Sequence, residues 1–333
     1  MQKKDLGLHV LILVVGTVVA LINPRFVSPI NIANTANLVG LFGLFAIGQG
    51  FVIITGGIEL SVGSVIALLG VLFVDLIANY GVPWPACIVL MLLLGAVIGL
   101  AHGLLITRMG MQPFIVTLCG LLIYRGIARW YTADGTVGFA FGQSFPSLDW
   151  LTIGRSWGIP HSLIAMLIVA AIMYVVLHRS VFGRYLFAVG KNEEAARYAG
   201  VPTDKVIVAA YVICAVLTAI AAIFFAMYTK SISPSSHGNF YELYAIAAAV
   251  LGGFSLRGGE GSIVGVVLGA VLLQVLQNLV NLLGIPSSLN FAVMGSVILV
   301  GVIADMQFAN YRQRRALRAQ EEARAAATGP VRA

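Results

Sequence analysis

The sequence predicts an all-α protein, a polytopic bundle of transmembrane helices. Of its 333 residues, 59% are hydrophobic and only 10% are charged, whereas about a quarter of the residues are charged in an average soluble domain. Apolar stretches without charge recur from end to end, and about 20 such residues are enough for a helix to cross a bilayer. Most of the chain therefore cannot face water, and we expect no separate soluble domain.

At about 20 residues per span, the apolar runs predict about ten spans. We place them near residues 6–22, 33–54, 60–78, 84–106, 113–131, 160–177, 205–228, 242–254, 262–282 and 288–305. The first run follows Lys3 and Lys4, as in a signal peptide, but no small-residue cleavage site follows it, so we expect a retained helix. The third run begins directly after Gly56-Gly57 and the eighth is short. Such interruptions often mark the working region of a membrane protein.

The distribution of positive charge predicts the orientation of the chain. With the N-terminus in the cytoplasm, 15 of the 20 lysines and arginines fall on the cytoplasmic side, as the positive-inside rule requires. Both termini are then cytoplasmic. We divide the chain into a membrane domain, 1–305, with a cytoplasmic loop at 179–205, and a basic cytoplasmic tail, 306–333, beside anionic lipid headgroups. Orientation alone explains the net charge of +7, so we expect no nucleic-acid partner.

The chain shows no residue pattern for chemistry of its own. Its three cysteines have neither a CxxC nor a Cys/His spacing, so we expect no metal site. The nearest approach to a phosphate-binding loop, Gly190-Lys191-Asn192, lacks the upstream glycine and the Ser or Thr that such loops need. We therefore predict no catalytic residue and no cofactor in this chain, and any ATPase would be another polypeptide.

The acidic residues bear on a different possibility, a transporter driven by an ion gradient. Such a protein usually buries an ionisable group in its bundle, where the proton or cation binds. All 13 acidic residues fall in predicted loops, in tails or near span ends. This argues against ion coupling, although sodium bound by carbonyl groups alone keeps it open.

The cytoplasmic loop carries the signals of a short helix outside the bilayer. Asn192 is a good N-cap, Glu193 and Glu194 occupy the first turn, and Gly200 with Pro202 provides a stop. A two-turn helix is marginal in water on its own, so another chain would have to pack on it. On these signals alone, a docking helix and an ordinary connecting loop are equally open.

Several sequence blocks together resemble one known family. Residues 57–64, GIELSVGS, resemble the GGIDLSVGS signature of ribose-type sugar ABC importer permeases. Further blocks are similar to the family's in the same order: QPFIVTL at 112–118 with YRG at 124–126, the loop at 182–201, the stretch at 241–265, and NLLG at 281–284. The resemblance covers residues 40–305, and the family includes permeases for ribose, xylose, arabinose and galactose.

The resemblance implies the inner-membrane permease subunit of a binding-protein-dependent importer for a monosaccharide, working by alternating access. Its expected partners are a second copy or a sister permease, cytoplasmic ATPase subunits that bind ATP and Mg²⁺, and a periplasmic sugar-binding protein. The family's coupling helix, which docks on the ATPase, falls on the short helix read above: Asn192, Glu193, Glu194, Ala195, Ala196, Arg197, Tyr198, Ala199 and Gly200.

The chain departs from the family pattern at positions that leave the substrate open. Glu59 stands where the family has Asp, Gln112 replaces the first proline of a pair, and Tyr244 replaces the Asp of YELDAIAA. The choice of sugar is therefore undecided. Branched-chain amino acids remain an alternative substrate class, an ion-coupled transporter is the second interpretation, and a non-transporting membrane scaffold is the third.

A sugar path needs hydrogen-bonding side chains, which are scarce in this chain. Two sets each lie on one face of a predicted helix: Gln274, Gln277, Asn278 and Asn281 in the ninth span, and Asn31, Asn34 and Thr35 in the second. Both sets could line a path. The alternative is that they bond helices to one another, as amides often do in membranes.

The signature motif contributes Gly57, Glu59, Ser61 and Gly63 to the candidate site. We expect Glu59 to cap the N-terminus of the third span rather than to contact sugar. Outside the motif, Arg125 and Arg129 would dock the binding protein or extend to lipid headgroups.

Two rows of glycine with four-residue spacing predict close helix contacts. We expect contacts within the chain rather than between subunits, because such motifs are common inside helical bundles. The rows are Gly95, Gly99 and Gly103 in the fourth span, and Gly261, Gly265 and Gly269 in the ninth.

Overall fold

The computed structural model describes residues 3–286 and the single positions 289, 292, 295, 296, 299, 303 and 307. Residues Met1–Ile285 form one compact unit. In chain order its helices are α1 Lys3–Ile22, a 3₁₀ turn Pro24–Val27, α2 Pro29–Ile54, α3 Val62–Ala78, α4 Trp84–Arg108, α5 Pro113–Tyr131, α6 Pro146–Ile153, α7 His161–His178, α8 Val181–Lys191, α9 Glu193–Tyr198, α10 Thr203–Thr229, α11 Tyr241–Leu251 and α12 Ile263–Leu282.

The prediction of an all-α membrane protein is confirmed. Among the described residues six helices, α2, α4, α5, α7, α10 and α12, are long and apolar enough to cross a membrane, while three shorter ones, in α1, α3 and α11, are also apolar. These nine match the first nine predicted spans. The tenth, 288–305, and the tail, 306–333, lie outside the continuously described residues. The number of spans and the orientation stay predictions.

The second helix begins four residues earlier than predicted, at Pro29. The side chain of Ser28 accepts a hydrogen bond from Asn31 N, and proline follows it at the first helical position, where its missing N–H costs nothing. This N-cap was overlooked because the apolar run itself begins only after several amides. The helices α6 and α8 were also not predicted.

The helix α2 is the centre of the bundle. In an apolar 18-residue stretch of α2, 94% of the residues are buried, and the helix packs against α7, α10, α11 and α12. Glycines let these neighbours approach: a Cβ on Gly48 would lie 2.9 Å from Cys214 Cα in α10, and one on Gly50 would lie 2.8 Å from the Phe254 ring. A helix that is apolar on all sides is expected to be enclosed by protein or lipid, and here it is enclosed by protein.

The glycine rows form contacts within the chain, as predicted. The row in α4 lies on α10, where a Cβ on Gly99 would be 2.5 Å from the Tyr211 carbonyl oxygen and 2.6 Å from Val212 Cα. Gly265 and Gly269 of α12 lie in the same way on the backbone of Gly252 and Ala248, at the end of α11. Gly261 precedes α12 and packs on the ring of Phe254.

The loops of the described part of the chain contain four two-residue strands: β1 Val137–Gly138, β2 Arg155–Ser156, β3 Ile159–Pro160 and β4 Ser231–Ile232. Strands β1 and β4 pair antiparallel, with Val137 opposite Ile232. Strands β2 and β3 also pair antiparallel. The first pair fixes the segment that follows α10 against the segment that follows α5.

The segment 230–240 turns back into the bundle, which explains why the eighth apolar helix is short. Ile232 lies against Gly70 of α3, whereas Gly238 lies against Gly63, near the start of that helix. Seven residues of helix separate these contacts, a distance of about 10 Å. The helix α11 therefore starts beside the N-terminus of α3, inside the bundle, and its 11 residues span about 16 Å.

Replacing Gly99 with Ala should destabilise the fold, because the added methyl group would meet the backbone of α10 rather than a movable side chain. We expect a loss of about 1–3 kcal/mol, measured as a lower midpoint of unfolding in detergent. Gly126→Ala in α5 is the control, since a Cβ there meets nothing within 4 Å. Equal midpoints for the two variants would show that the α4–α10 contact is loose.

Candidate functional site

The signature motif forms the connection between α2 and α3, and this connection lies inside the protein. Gly56, with φ of +82°, takes the backbone out of α2. Gly57 then passes the Tyr211 hydroxyl, which would be 2.5 Å from a Cβ at that position. Ser61, which is 1% exposed, precedes α3 as its N-cap residue. The four signature residues predicted from the sequence are thus brought together on one buried turn and the first turn of α3.

Glu59 is the acidic residue at the centre of this connection. Its Oε1 accepts a hydrogen bond of 2.7 Å from Ser61 N, and its Oε2 lies 2.8 Å from His102 Nδ1 in α4. The Nε2 of His102 is 2.9 Å from the hydroxyl of Tyr124 in α5. The Glu59 and His102 side chains are 6% and 3% exposed. We call Glu59, His102 and Tyr124 the buried triad.

The backbone of the same connection is also held by side chains. With the Gln49 amide oriented to satisfy both of its groups, its nitrogen donates to Glu59 O and its oxygen accepts from Glu59 N. Thr117 Oγ1 of α5 donates to Ile58 O over 3.0 Å. Buried backbone groups without such partners would be costly, so these side chains are what permits an irregular turn here.

The expectation that no acidic group is buried in the bundle is wrong. Glu59 is 4% exposed, Glu242 8% and Asp75 9%. The residues do lie near helix ends, as predicted, but the ends of α3 and α11 are enclosed by neighbouring helices. The contact of Glu59 with Ser61 N is of the kind expected from the predicted cap. Its pairing with His102 was not foreseen.

Arg125 holds the returning segment 230–240. Its Nη1 donates to Pro234 O over 2.8 Å and to His237 O over 2.6 Å. The guanidinium is thus engaged inside the protein, contrary to both predicted roles for Arg125, because the carbonyl groups of a non-helical segment need donors.

Arg129, one turn later, is exposed and forms an ion pair of 2.5 Å with Asp134. The Arg129 guanidinium lowers the pKa of the Asp134 carboxyl through this hydrogen bond. The pair closes the turn after α5, and the two roles predicted for Arg129 stay open.

Tyr244, which replaces an acid of the family pattern, lies in a cluster of aromatic rings. Its ring centroid is 5.4 Å from that of Phe42 and 6.3 Å from that of Tyr241. Tyr241 in turn stacks on Phe45 at 5.9 Å. At this position an apolar contact with α2 therefore stands in place of a carboxylate.

The two predicted amide sets, in α2 and α12, contact each other through one residue of each. Asn31 and Asn278 bond to each other in both directions, with Nδ2 to Oδ1 distances of 3.0 Å and 2.8 Å. This pair joins α2 to α12, as the helix-bonding alternative predicts. Asn34 and Asn281 are exposed.

The remaining members of these sets have buried oxygens without a partner. They are Thr35 Oγ1, Gln274 Oε1 and Gln277 Oε1. The helices α2 and α12 run antiparallel, so Thr35, one turn beyond Asn31, and Gln274, one turn before Asn278, lie at the same level. Unpaired buried acceptors are costly, and a water molecule or a passing hydroxyl group would satisfy them.

The predicted short helix of the cytoplasmic loop is present as α9, with the predicted cap. Asn192 Oδ1 accepts from Ala195 N over 2.9 Å. Arg197 pairs with Glu193 at 2.9 Å and with Asp204 at 3.1 Å, and Gly200 with φ of +84° ends the helix. Apart from Ala196, which is 6% exposed, residues 192–200 are on the surface.

The helix α9 is linked to the C-terminal end of α2. Lys191, just before the N-cap, pairs with Glu260 at 2.8 Å. Gly259 N donates to Ile54 O over 2.8 Å, and Gly190 packs on the same two backbone groups. Among the described residues, no group of three His, Cys, Asp or Glu side chains could hold a metal ion.

Replacing Asn278 with Leu should lower stability, because Asn31 loses both bonds across the α2–α12 contact. We expect a loss of about 1 kcal/mol, measured by unfolding in detergent. Asn34→Leu is the control, as Asn34 is an exposed amide on the same end of α2. An unchanged unfolding midpoint for Asn278→Leu would contradict the structural role.

Comparison with known proteins agrees with the resemblance described above. The family model for the branched-chain amino acid transport system / permease component matches residues 31–302. The ribose import permease protein RbsC of Bacillus subtilis is 41% identical over 92% of this chain and 93% of its own length. The corresponding protein of Escherichia coli K12 is 37% identical over 91% and 93%.

The fructose import permease protein FruF of Bifidobacterium longum is 34% identical over 84% of this chain and 80% of its own length. No solved structure matches the chain. Since the family model and these relatives cover most of the chain, it belongs to the family of the permease component of the branched-chain amino acid transport system.

Proposed function

We propose that this chain is the membrane-spanning permease of an ATP-binding-cassette importer and that its substrate is a monosaccharide. The observation that carries the proposal is the extended similarity to ribose and fructose import permeases. The chain would be a transport subunit and not an enzyme. Hydrolysis of ATP with Mg²⁺ would take place in cytoplasmic partner subunits, and a periplasmic binding protein would deliver the sugar.

The proposal includes an arrangement in the bacterial inner membrane. Ten spans with both termini in the cytoplasm place α8 and α9 on the cytoplasmic side, where an ATPase could bind them. The membrane domain would extend over 1–305 and the basic tail over 306–333. A second copy or a sister permease would complete the membrane part.

The helix α9 is proposed as the coupling helix. It is short, capped and exposed, and the ion pair of Arg197 with Asp204 links it to the start of α10. The seating of Ala196 against the protein leaves Ala195 and Ala199 on the outer surface, where close packing by a partner is possible. Such small residues leave room for a neighbouring backbone.

The unpaired oxygens of Gln274, Gln277 and Thr35 support a place for them on the sugar path. Sugar hydroxyl groups both donate and accept hydrogen bonds, as these positions require. Gln277→Leu should therefore lower uptake without lowering the unfolding midpoint, in contrast with Asn278→Leu. A fall in stability equal to that of Asn278→Leu would assign Gln277 to helix bonding.

The buried acids favour a second candidate, an ion-coupled transporter, because Glu59 and Glu242 are ionisable groups inside the bundle. The two candidates differ in what the lone chain does. Purified alone in lipid vesicles, the chain should neither hydrolyse ATP nor concentrate ribose or fructose under a proton or sodium gradient. Uptake driven by either gradient would replace the first proposal with the second.

Replacing Ala196 with Pro should uncouple the transporter, since proline inside a helix costs about 3 kcal/mol and α9 has only six residues. We expect weak ATPase binding, or hydrolysis that no longer responds to the loaded binding protein. Ala199→Glu should have a similar effect with the helix intact. The measurements are co-purification of the ATPase and sugar-stimulated ATP hydrolysis.

The matched control is Glu193→Pro. Residue 193 is the first of the helix, where proline is tolerated, and Asn192 before it is extended, with φ of −164°, as a residue preceding proline should be. Normal stimulation in the Ala196→Pro complex would make this segment a simple connector.

A further inference from the structure

The buried triad lies between two parts of the protein that transport would have to connect. On one side, α9 is attached through Lys191 and Gly190 to Gly259 and to the last carbonyl group of α2. On the other side, the start of α3 touches the returning segment and α11 where Gly63 meets Gly238 and the Glu242 carboxylate. Residues 55–61 join the end of α2 to the start of α3, and residues 252–258 join α11 to Gly259.

Residues 55–61 contain two glycines at which the backbone can turn. Gly56 and Gly57 follow each other directly, and Gly56 is in the left-handed region with φ of +82°. Glycine changes its backbone angles at little cost, so the pair alone does not fix the residues that follow it. A fixed point beyond the pair would give the start of α3 a set position against which α11 can move.

The triad supplies this fixed point. Glu59 follows the glycine pair by two residues, and its carboxylate contacts α4 through His102, which in turn contacts α5 through Tyr124. Gln49 holds the backbone of Glu59, and Thr117 holds the backbone of Ile58. Because separating a buried, hydrogen-bonded pair leaves polar groups without partners, the connection cannot easily slide away from α4.

We propose that Glu59, His102 and Tyr124 are positioning residues that fix the α2–α3 connection, so that movement of α9 reaches the meeting point of α3 and α11. The inference rests on the proposed function, in which α9 is the coupling helix. It assigns the carboxyl group of the signature motif to the transmission of movement and not to sugar binding. Without the triad, the complex hydrolyses ATP but the membrane path does not respond.

The test uses the full complex in proteoliposomes, with ribose or fructose as the probe, whichever the wild type accumulates. Glu59→Gln keeps the shape and replaces the carboxyl group with an amide, and Tyr124→Phe removes only the hydroxyl group. For Glu59→Gln we expect sugar uptake per ATP hydrolysed to fall about tenfold or more, with a smaller fall for Tyr124→Phe. ATPase binding and basal hydrolysis stay at the wild-type level, as does the Michaelis constant for the loaded binding protein.

Tyr131→Phe is the matched control. Tyr131 lies on the same helix, α5, and its hydroxyl donates to another helix, at Asp75 of α3, but at the opposite end of α3 from the connection. Its uptake per ATP should equal that of the wild type. The double variant Glu59→Gln/His102→Gln should be no worse than Glu59→Gln alone, because the two residues act through one contact.

Wild-type uptake per ATP in both Glu59→Gln and Tyr124→Phe would overturn the inference. The inference would also be overturned if less complex assembled but the assembled complexes stayed fully coupled, because Glu59 and His102 would then serve only the stability of the fold. If Glu59→Gln does not assemble, Tyr124→Phe decides. The Ala196→Pro complex is measured alongside. If it is uncoupled while the triad variants remain coupled, the inference about the triad is rejected and the proposed role of α9 stands.

Discussion

The need to satisfy every backbone polar group inside a membrane protein shapes most of this structure. A helix meets the need by itself, but two connections, 55–61 and 230–240, are irregular and lie within the bundle. Each is held by side chains whose polar atoms reach its backbone: Gln49 and Thr117 for the first, and Arg125 for the second. Non-helical backbone at such depth is tolerated only when protein or a water-filled cavity provides partners. In both connections, side chains therefore take the place of the hydrogen-bond partners that a helix would provide.

The glycines follow the same logic with a different purpose. In α4 and α12 they remove side chains so that the backbones of α10 and α11 can come close, which in lipid is a main source of helix association. At Gly56 the missing side chain permits an unusual backbone angle instead. The regularly spaced rows and Gly56 thus represent two uses of one residue, close helix contact and an unusual backbone angle.

The sequence was sufficient to predict features with local causes. The helix α9 follows from Asn192, Gly200 and the charges between them, and nine apolar helices follow from hydropathy. The triad could not be predicted, because Glu59 and His102 are 43 residues apart and a single histidine in an apolar run has no local signature. The amide stripe was recognised from its spacing, yet the spacing could not show that Asn31 would lie opposite Asn278. The role of Arg125 depended in the same way on a segment more than 100 residues away.

The enclosure of α2 has a consequence for how the protein is made. The hydrogen bonds of Asn31 to Asn278 span 247 positions of sequence, so they can form only when nearly all of the chain has left the ribosome. Until then α2 must remain in the membrane without α12 beside it, which its apolar surface allows. Gln49 is its most deeply buried amide, and it pairs with Glu59 only ten residues later, so this group is satisfied during early insertion. One polar group of α2 thus pairs with a residue made directly after the helix, whereas another pairs with a residue made near the end of synthesis.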